Sequence, residues 1–206
     1  MRVAGLYLAA GRGSRMGGGK PSAELAPGMP LGRAGLLALL ATELDPVIVA
    51  VREGDSLAWL PDDDKYAGRF VPVVCPEADK GLAHSLRAAL DEALRLAPGI
   101  EAAVVALADQ PMVAASDIQR YLDAFREDTG LEAIAGSCGG PPVPPVLWSR
   151  LKFESLARLA GDTGGRSLLR EPGLRLGKVP LSANAAIDVD TLGDLAFACR
   201  MWTNTP

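Results

Sequence analysis

Apolar residues fall in short dense blocks separated by turn-forming residues. Residues 3–9, 46–51, 70–75, 102–108 and 132–136 are strand-length runs dominated by Val, Ala, Leu and Ile. Runs that are continuous rather than alternating mark strands covered on both faces. Between them, residues 32–43, 82–97 and 116–127 space their apolar positions as a helix does. The pattern is clearest at Leu86, Ala89, Leu90, Ala93 and Leu94, where Gly81 and His84-Ser85 precede the helix and Pro98-Gly99 ends it. Ser116 is the expected N-cap of the next helix, Asp162 of a short one reaching Leu169, and Asp190 of a last one over residues 191–201. Residues 137–145 are rich in Gly and Pro and read as a lid or crossover. Strands alternating with helices predict an α/β fold: a mostly parallel sheet with helices on both faces, in three layers.

The chemistry concentrates where the first strand ends. Residues 6–20 read LYLAAGRGSRMGGGK, with Gly11, Gly13, Gly17, Gly18 and Gly19 around Arg12, Arg15 and Lys20. Glycines let backbone N–H groups turn inward and approach an anion, arginine adds forked donors and lysine a mobile point charge. A strand feeding such a loop suits a nucleoside triphosphate. Two common phosphate motifs are absent: Pro21 stands where a P-loop needs Ser or Thr, and Met16 where a dinucleotide fingerprint needs its last glycine. A flexible surface loop is the alternative. Asp109 follows the fourth strand and Asp188 a short run near the C-terminus, so both fall at the carboxyl edge of the sheet, beside the loop. Mg²⁺ takes one or two carboxylates plus phosphate oxygens, which makes Asp109 a candidate ligand and Asp188 a candidate second one. A turn residue (Asp109) and a helix cap (Asp188 or Asp190) are the alternatives.

These motifs carry a resemblance. LAAGRGSRMGGGK resembles the signature loop of the MobA-like nucleotidyltransferases, roughly LAAGxSxRMGxxK. Asp109-Gln110-Pro111 matches that family's strand end, and Gly81 with Ser85-Leu86 its helix start. Pro141 to Leu147, then Gly161-Asp162-Thr163-Gly164-Gly165-Arg166, resemble its GxPxxP-like and GDxGAR segments, and Asp188-Val189-Asp190-Thr191 with Asp194-Leu195 its closing DIDTPEDL. The order is kept across nearly the whole chain, and the last two motifs resemble most closely the molybdenum cofactor cytidylyltransferase branch. The chain departs where Leu192-Gly193 replaces Pro-Glu and where Pro21-Ser22 follows Lys20.

The resemblance implies a Rossmann-like (GT-A-like) single domain over residues 1–206. It implies transfer of a nucleoside monophosphate, CMP from CTP first, to the terminal phosphate of molybdopterin, with pyrophosphate released. GMP transfer to the same acceptor, CMP transfer to a sugar or alcohol phosphate, and an idle nucleotide-binding cofactor chaperone remain open. The nucleotide would meet Leu8, Ala9, Ala10, Gly11, Gly13, Ser14, Arg15, Lys20, Gly81 and Ser85. Gly161, Asp162 and Arg166 would hold a pterin-type or other phosphorylated acceptor. Arg15, Lys20 and Asp109 would carry catalysis, with Mg²⁺ on Asp109 and Asp188. Arg12 reads equally as a phosphate ligand or a solvated side chain. His84, the single histidine, reads as structural, with a base or acceptor contact as the alternative. A molybdoenzyme is a candidate partner.

Bulk properties narrow the setting. At 206 residues, 49% hydrophobic and 22% charged, one ordinary globular domain is expected. A net charge of −4 argues against nucleic acid as a partner. There is no membrane-length apolar run and no leader-like N-terminal pattern, so a cytoplasmic protein is expected. Cys75, Cys138 and Cys199 lack metal-ligand spacing and are expected to be buried reduced thiols.

Overall fold

A computed structural model describes residues 1–162 and 164–203. Nine strands occur among them: β1 (Val3–Leu8), β2 (Glu24–Ala26), β3 (Met29–Pro30), β4 (Val47–Arg52), β5 (Phe70–Cys75), β6 (Ala102–Leu107), β7 (Ala133–Ser137), β8 (Val143–Ser149) and β9 (Leu176–Pro180). The helices are α1 (Leu31–Leu40), α2 (Leu82–Leu96), α3 (Ala115–Glu127), α4 (Phe153–Ala157) and α5 (Leu192–Thr203). Seven strands form one sheet in the order β5-β4-β1-β6-β8-β7-β9, while β2 and β3 make a separate hairpin. The pairs β4–β5, β1–β4, β1–β6 and β7–β9 are parallel; β8 runs antiparallel to both neighbours.

The central strands are apolar on both sides because both sides are covered. In β1, Val3 and Tyr7 enter the layer built with Leu36, Leu39, Ile118 and Phe125, while Ala4, Leu6 and Leu8 enter the opposite layer with Leu86, Leu90 and Trp148. Alternation by one residue divides one buried strand between two cores. The helix packing is close: a Cβ on Gly35 of α1 would stand 2.8 Å from the Tyr7 hydroxyl. A third core, under the hairpin, joins Leu25 and Leu31 to Val189 and Ala198, and so fastens the C-terminal helix beside the start of α1.

The five expected strands and three expected helices are present, within a few residues at their ends. Several expectations are corrected. The Gly/Pro-rich stretch, rather than a lid, leads into β8, an inner strand. Pro144 and Pro145 are tolerated because pairing with β6 begins at Val146 and the β7 register shifts beside them. Ser116 lies inside α3, whose first turn is closed instead by Asp117 Oδ2 accepting from the Ala114 N–H at 2.9 Å. The expected helix after Asp162 is replaced by two 3₁₀ turns, Gly164–Arg166 and Leu168–Arg170; Thr163, in that motif, lies outside the described residues. Asp162 instead accepts from the Leu82 N–H of α2 at 3.3 Å. Cys75 is buried as expected, but Cys138 is exposed and Cys199 half-buried; none forms a disulfide.

Asp190 is not the cap of the last helix. Thr191 Oγ1 accepts from the Asp194 N–H at 3.2 Å, and Asp194 Oδ2 accepts from Asp190 N at 3.1 Å and Thr191 N at 2.8 Å. This reciprocal box releases the Asp190 carboxylate for other work. Thr191→Ala is expected to cost about 1 kcal/mol, a fall in melting temperature of roughly 2–4 °C for a chain of this size, read by thermal denaturation.

Candidate active site

The site lies where β1 and β6 end side by side. Leu8 pairs with Leu107, and the Ala108 N–H donates to Leu8 O at 3.1 Å, so the glycine loop and Asp109 leave the sheet as neighbours. Residues 14–16 and 20–22 form two 3₁₀ turns, with Gly13, Gly17, Gly18 and Gly19 all left-handed. Gly13 has no room for a side chain: at φ +56°, a Cβ would stand 2.6 Å from the Lys20 Cβ. That close approach folds the loop back on itself and points Lys20 at the sheet edge.

Lys20 is the centre of the charge array. Its Nζ donates to Asp109 Oδ2 at 2.9 Å and Asp190 Oδ1 at 2.8 Å, with only 12% of its side chain exposed. Burial alone would lower its pKa; Asp109 and Asp190 outweigh burial and hold the ammonium above its ordinary value. Arg15 Nη1 stands 4.0 Å from Asp190 Oδ2. The C-terminal segment is pinned to the same edge by the Val189 N–H, which donates to Asp109 O at 2.9 Å. Asp188 takes a different partner: Gln110, itself buried, donates from Nε2 to Asp188 Oδ1 at 2.9 Å. Burial first, and the charge of Asp109 next, raise the Asp188 carboxyl above the usual range.

The loop residues Leu8, Ala9, Gly11, Gly13, Ser14, Arg15 and Lys20 line one cavity of about 540 Å³ together with Asp109, Asp162 and Asp190. Ala10, Ser85 and Asp162 line an adjoining one of about 420 Å³ with Gly11, Arg12 and Asp79. A third, of about 560 Å³, shares Leu82, Leu107 and Asp162 with the first; its walls include Leu86, Val105 and Trp148, and it also carries Arg166 and Arg170. Gly81 and Gly161 line none of these three. They touch backbone to backbone, and the Ala83 N–H donates to Gly161 O at 3.1 Å. Asp188 also stands outside the linings, beside Gln110.

Two side chains left open by the sequence now have partners. Arg12 donates from Nε to Asp79 Oδ1 at 2.8 Å, and Arg52 meets the same carboxylate. Arg12 first, then Arg52, holds the Asp79 carboxyl down to about 2. The His84 ring lies 3.0 Å from Glu77 Oε2. Sequence reasoning missed Gln110, Asp79 and the Lys20–Asp190 pair. Only the glutamine within Asp-Gln-Pro carried any signal.

Among the described residues, Asp109 Oδ1 is buried with no hydrogen-bond partner. An unpaired carboxylate oxygen beside a cationic phosphate loop suits a hard divalent cation, and the oxygen donors of Asp109 and Asp188 match the preference of Mg²⁺.

A family model for the MobA-like NTP transferase domain matches residues 5–178. The chain belongs to the MobA-like NTP transferase family. It is therefore a nucleotidyltransferase with a Rossmann-like sheet, as the resemblance implied. It is 30% identical over 192 residues to the purine catabolism protein PucB of Bacillus subtilis, covering 91% of this chain and 90% of that one. Rv0371c of Mycobacterium tuberculosis superposes with a TM-score of 0.79 at 26% identity, covering 97% of this chain and 99% of the other; a manganese complex of that protein superposes at 0.76. The molybdopterin-guanine dinucleotide biosynthesis protein A of Archaeoglobus fulgidus shares the fold, with a TM-score of 0.69 at 19% identity over the full length of both chains. No helix among the described residues is long and apolar enough to cross a membrane.

Proposed function

We propose that this chain transfers CMP from CTP to the terminal phosphate of molybdopterin, releasing pyrophosphate, in the cytoplasm and in the service of a molybdoenzyme. One observation carries the reading. The 540 Å³ cavity of the glycine loop and Asp109 shares Leu82, Leu107 and Asp162 with the largely apolar cavity beside Trp148 and Arg166. A triphosphate in the first and a flat, phosphorylated acceptor in the second would meet at their common wall.

An acceptor phosphate oxygen attacks the α-phosphorus as the bond to the β-phosphate oxygen breaks. That oxygen is anionic at neutral pH, so no general base is needed. His84, tied to Glu77, is free of that role. Lys20 and Arg15 hold the triphosphate and stabilise the pyrophosphate as it leaves. The loop glycines fix the triphosphate for in-line attack. Asp109 and Asp188 are the residues that would hold Mg²⁺, which when bound neutralises charge on the α-phosphate. Ala10 and Ser85 would face the base. Arg166 would pair with the acceptor phosphate and Trp148 would lie against its ring. Trp148 and the aliphatic lining favour an acceptor with a planar ring, such as a pterin, over a sugar phosphate, which has no ring face to stack.

Pyrophosphate release tests this directly. With Mg²⁺ and molybdopterin, CTP is expected to turn over faster than GTP, and glycerol or sugar phosphates in place of molybdopterin to give none. Release with a sugar phosphate but not with molybdopterin would overturn the acceptor assignment. Tight CTP binding without release for any acceptor would overturn catalysis.

A further inference from the structure

The arrangement around Lys20 has a consequence for the order in which ligands enter. It rests on the reading above, that Asp109 is a metal carboxylate and the glycine loop a triphosphate site. The ammonium of Lys20 sits on Asp109 Oδ2 at 2.9 Å and on Asp190 Oδ1 at 2.8 Å, with its side chain 12% exposed. Mg²⁺ or Mn²⁺ needs carboxylate oxygens at about 2.1 Å. A divalent ion on Asp109 would therefore lie within a few ångströms of a fixed positive charge, inside a partly desolvated site where repulsion is poorly screened.

We infer that Lys20 acts as an internal substitute for the metal: it closes the Asp109–Asp190 pair until a triphosphate draws its ammonium away, so that the free protein disfavours the bare cation and accepts it with the nucleotide. The loop is built for this exchange. The lysine backbone is held by the contact between Gly13 and the Lys20 Cβ and by the 3₁₀ turn over residues 20–22. Only the flexible four-carbon stem needs to move. The place it moves to, beside Gly13, Ser14 and Arg15, lies in the same cavity as Asp109 and Asp190. Asp190 keeps Arg15 nearby as a second cation after the exchange. Asp109 Oδ1, buried and unpartnered among the described residues, is the carboxylate oxygen that Lys20 leaves open to a cation. The lysine and the metal thus compete for one carboxylate, and the triphosphate decides between them. By linkage, metal and nucleotide each tighten the other's binding by the same factor.

The distinguishing experiment removes the lysine and asks whether the metal binds better. Mn²⁺ alone is titrated into the full chain, and free Mn²⁺ is read by electron paramagnetic resonance; where CTP or GTP is added, uptake is counted only beyond that of the same nucleotide without protein, because the triphosphate binds Mn²⁺ itself. Lys20→Met is expected to bind Mn²⁺ about tenfold or more tightly than the parent, a coupling of ordinary size. Lys20→Gln, which keeps a polar tip and guards against a folding defect of the first variant, is expected to do the same. Adding Asp109→Asn to Lys20→Met should abolish the gain. Unchanged or weaker Mn²⁺ binding in both lysine variants, with the parent still taking up Mn²⁺ when CTP or GTP is present, would overturn the competition and leave the metal site standing. No Mn²⁺ uptake by the parent even with either nucleotide would overturn the metal site, and the competition with it.

Discussion

Asp109→Asn is expected to lower kcat/KM by roughly 10³-fold or more, the scale of losing a principal charge-organising group, while the melting temperature stays within a few degrees of the parent. Asp109 meets three things at once: the Lys20 ammonium, the segment carrying Asp188 and Asp190, and the floor of the phosphate cavity. The tie to the C-terminal segment uses the main-chain oxygen of Asp109 and survives the substitution. The amide retains an oxygen for Lys20 but carries no charge, so the loss falls on function. Steady-state pyrophosphate release and thermal denaturation on the same preparation check both halves. Activity within tenfold of the parent would remove Asp109 from the catalytic group.

Gly81→Ala is expected to have the largest effect on stability, about 3 kcal/mol and a fall in melting temperature of roughly 6–12 °C. Gly81 has φ +119°, and a Cβ there would stand 2.4 Å from the carbonyl carbon of Gly161. The neighbour is backbone and has no rotamer to yield. The first turn of α2 is closed by that same segment, through Ala83 N to Gly161 O and Leu82 N to Asp162 Oδ1. Separating the two would also part walls of the nucleotide and acceptor cavities, so activity should fall with stability. Gly99→Ala is the control: nothing lies within 4 Å of its Cβ position and its backbone is not left-handed, so a change under about 0.5 kcal/mol is expected. Equal melting temperatures for the two variants would refute the close-approach account.

The parallel core of the sheet was legible because strands buried on both faces must be apolar throughout, and Val3 to Leu8, Val47 to Val51 and Ala102 to Val104 are. The glycine loop was legible for a related reason: left-handed turns at Gly13 and Gly17 to Gly19 leave a mark in composition. What escaped detection depends on distant partners. β8 contains prolines and becomes a strand only because β6 and β7 lie on either side of it. Asp162 and Asp190 both looked like local caps. Asp162 caps a helix that starts 80 residues earlier, and Asp190 reaches a lysine 170 positions away because Thr191 takes the cap instead. Gln110 holds Asp188 across 78 positions. A side chain's own neighbours in sequence say little about a bond made across the sheet edge, and the charge array is made almost wholly of such bonds.

One polyphosphate gripped between the glycine loop and a cation on Asp109 is the arrangement on which the proposed chemistry depends. A crystal of the full chain soaked with CTP and Mn²⁺, with anomalous data collected for manganese, measures it most directly. Expected are an anomalous peak on a carboxylate oxygen of Asp109, phosphates against the backbone of residues 11–15, and the Lys20 ammonium moved from Asp109 to a phosphate oxygen. Triphosphate density away from residues 11–20, or manganese bound elsewhere with Lys20 still on Asp109, would contradict it.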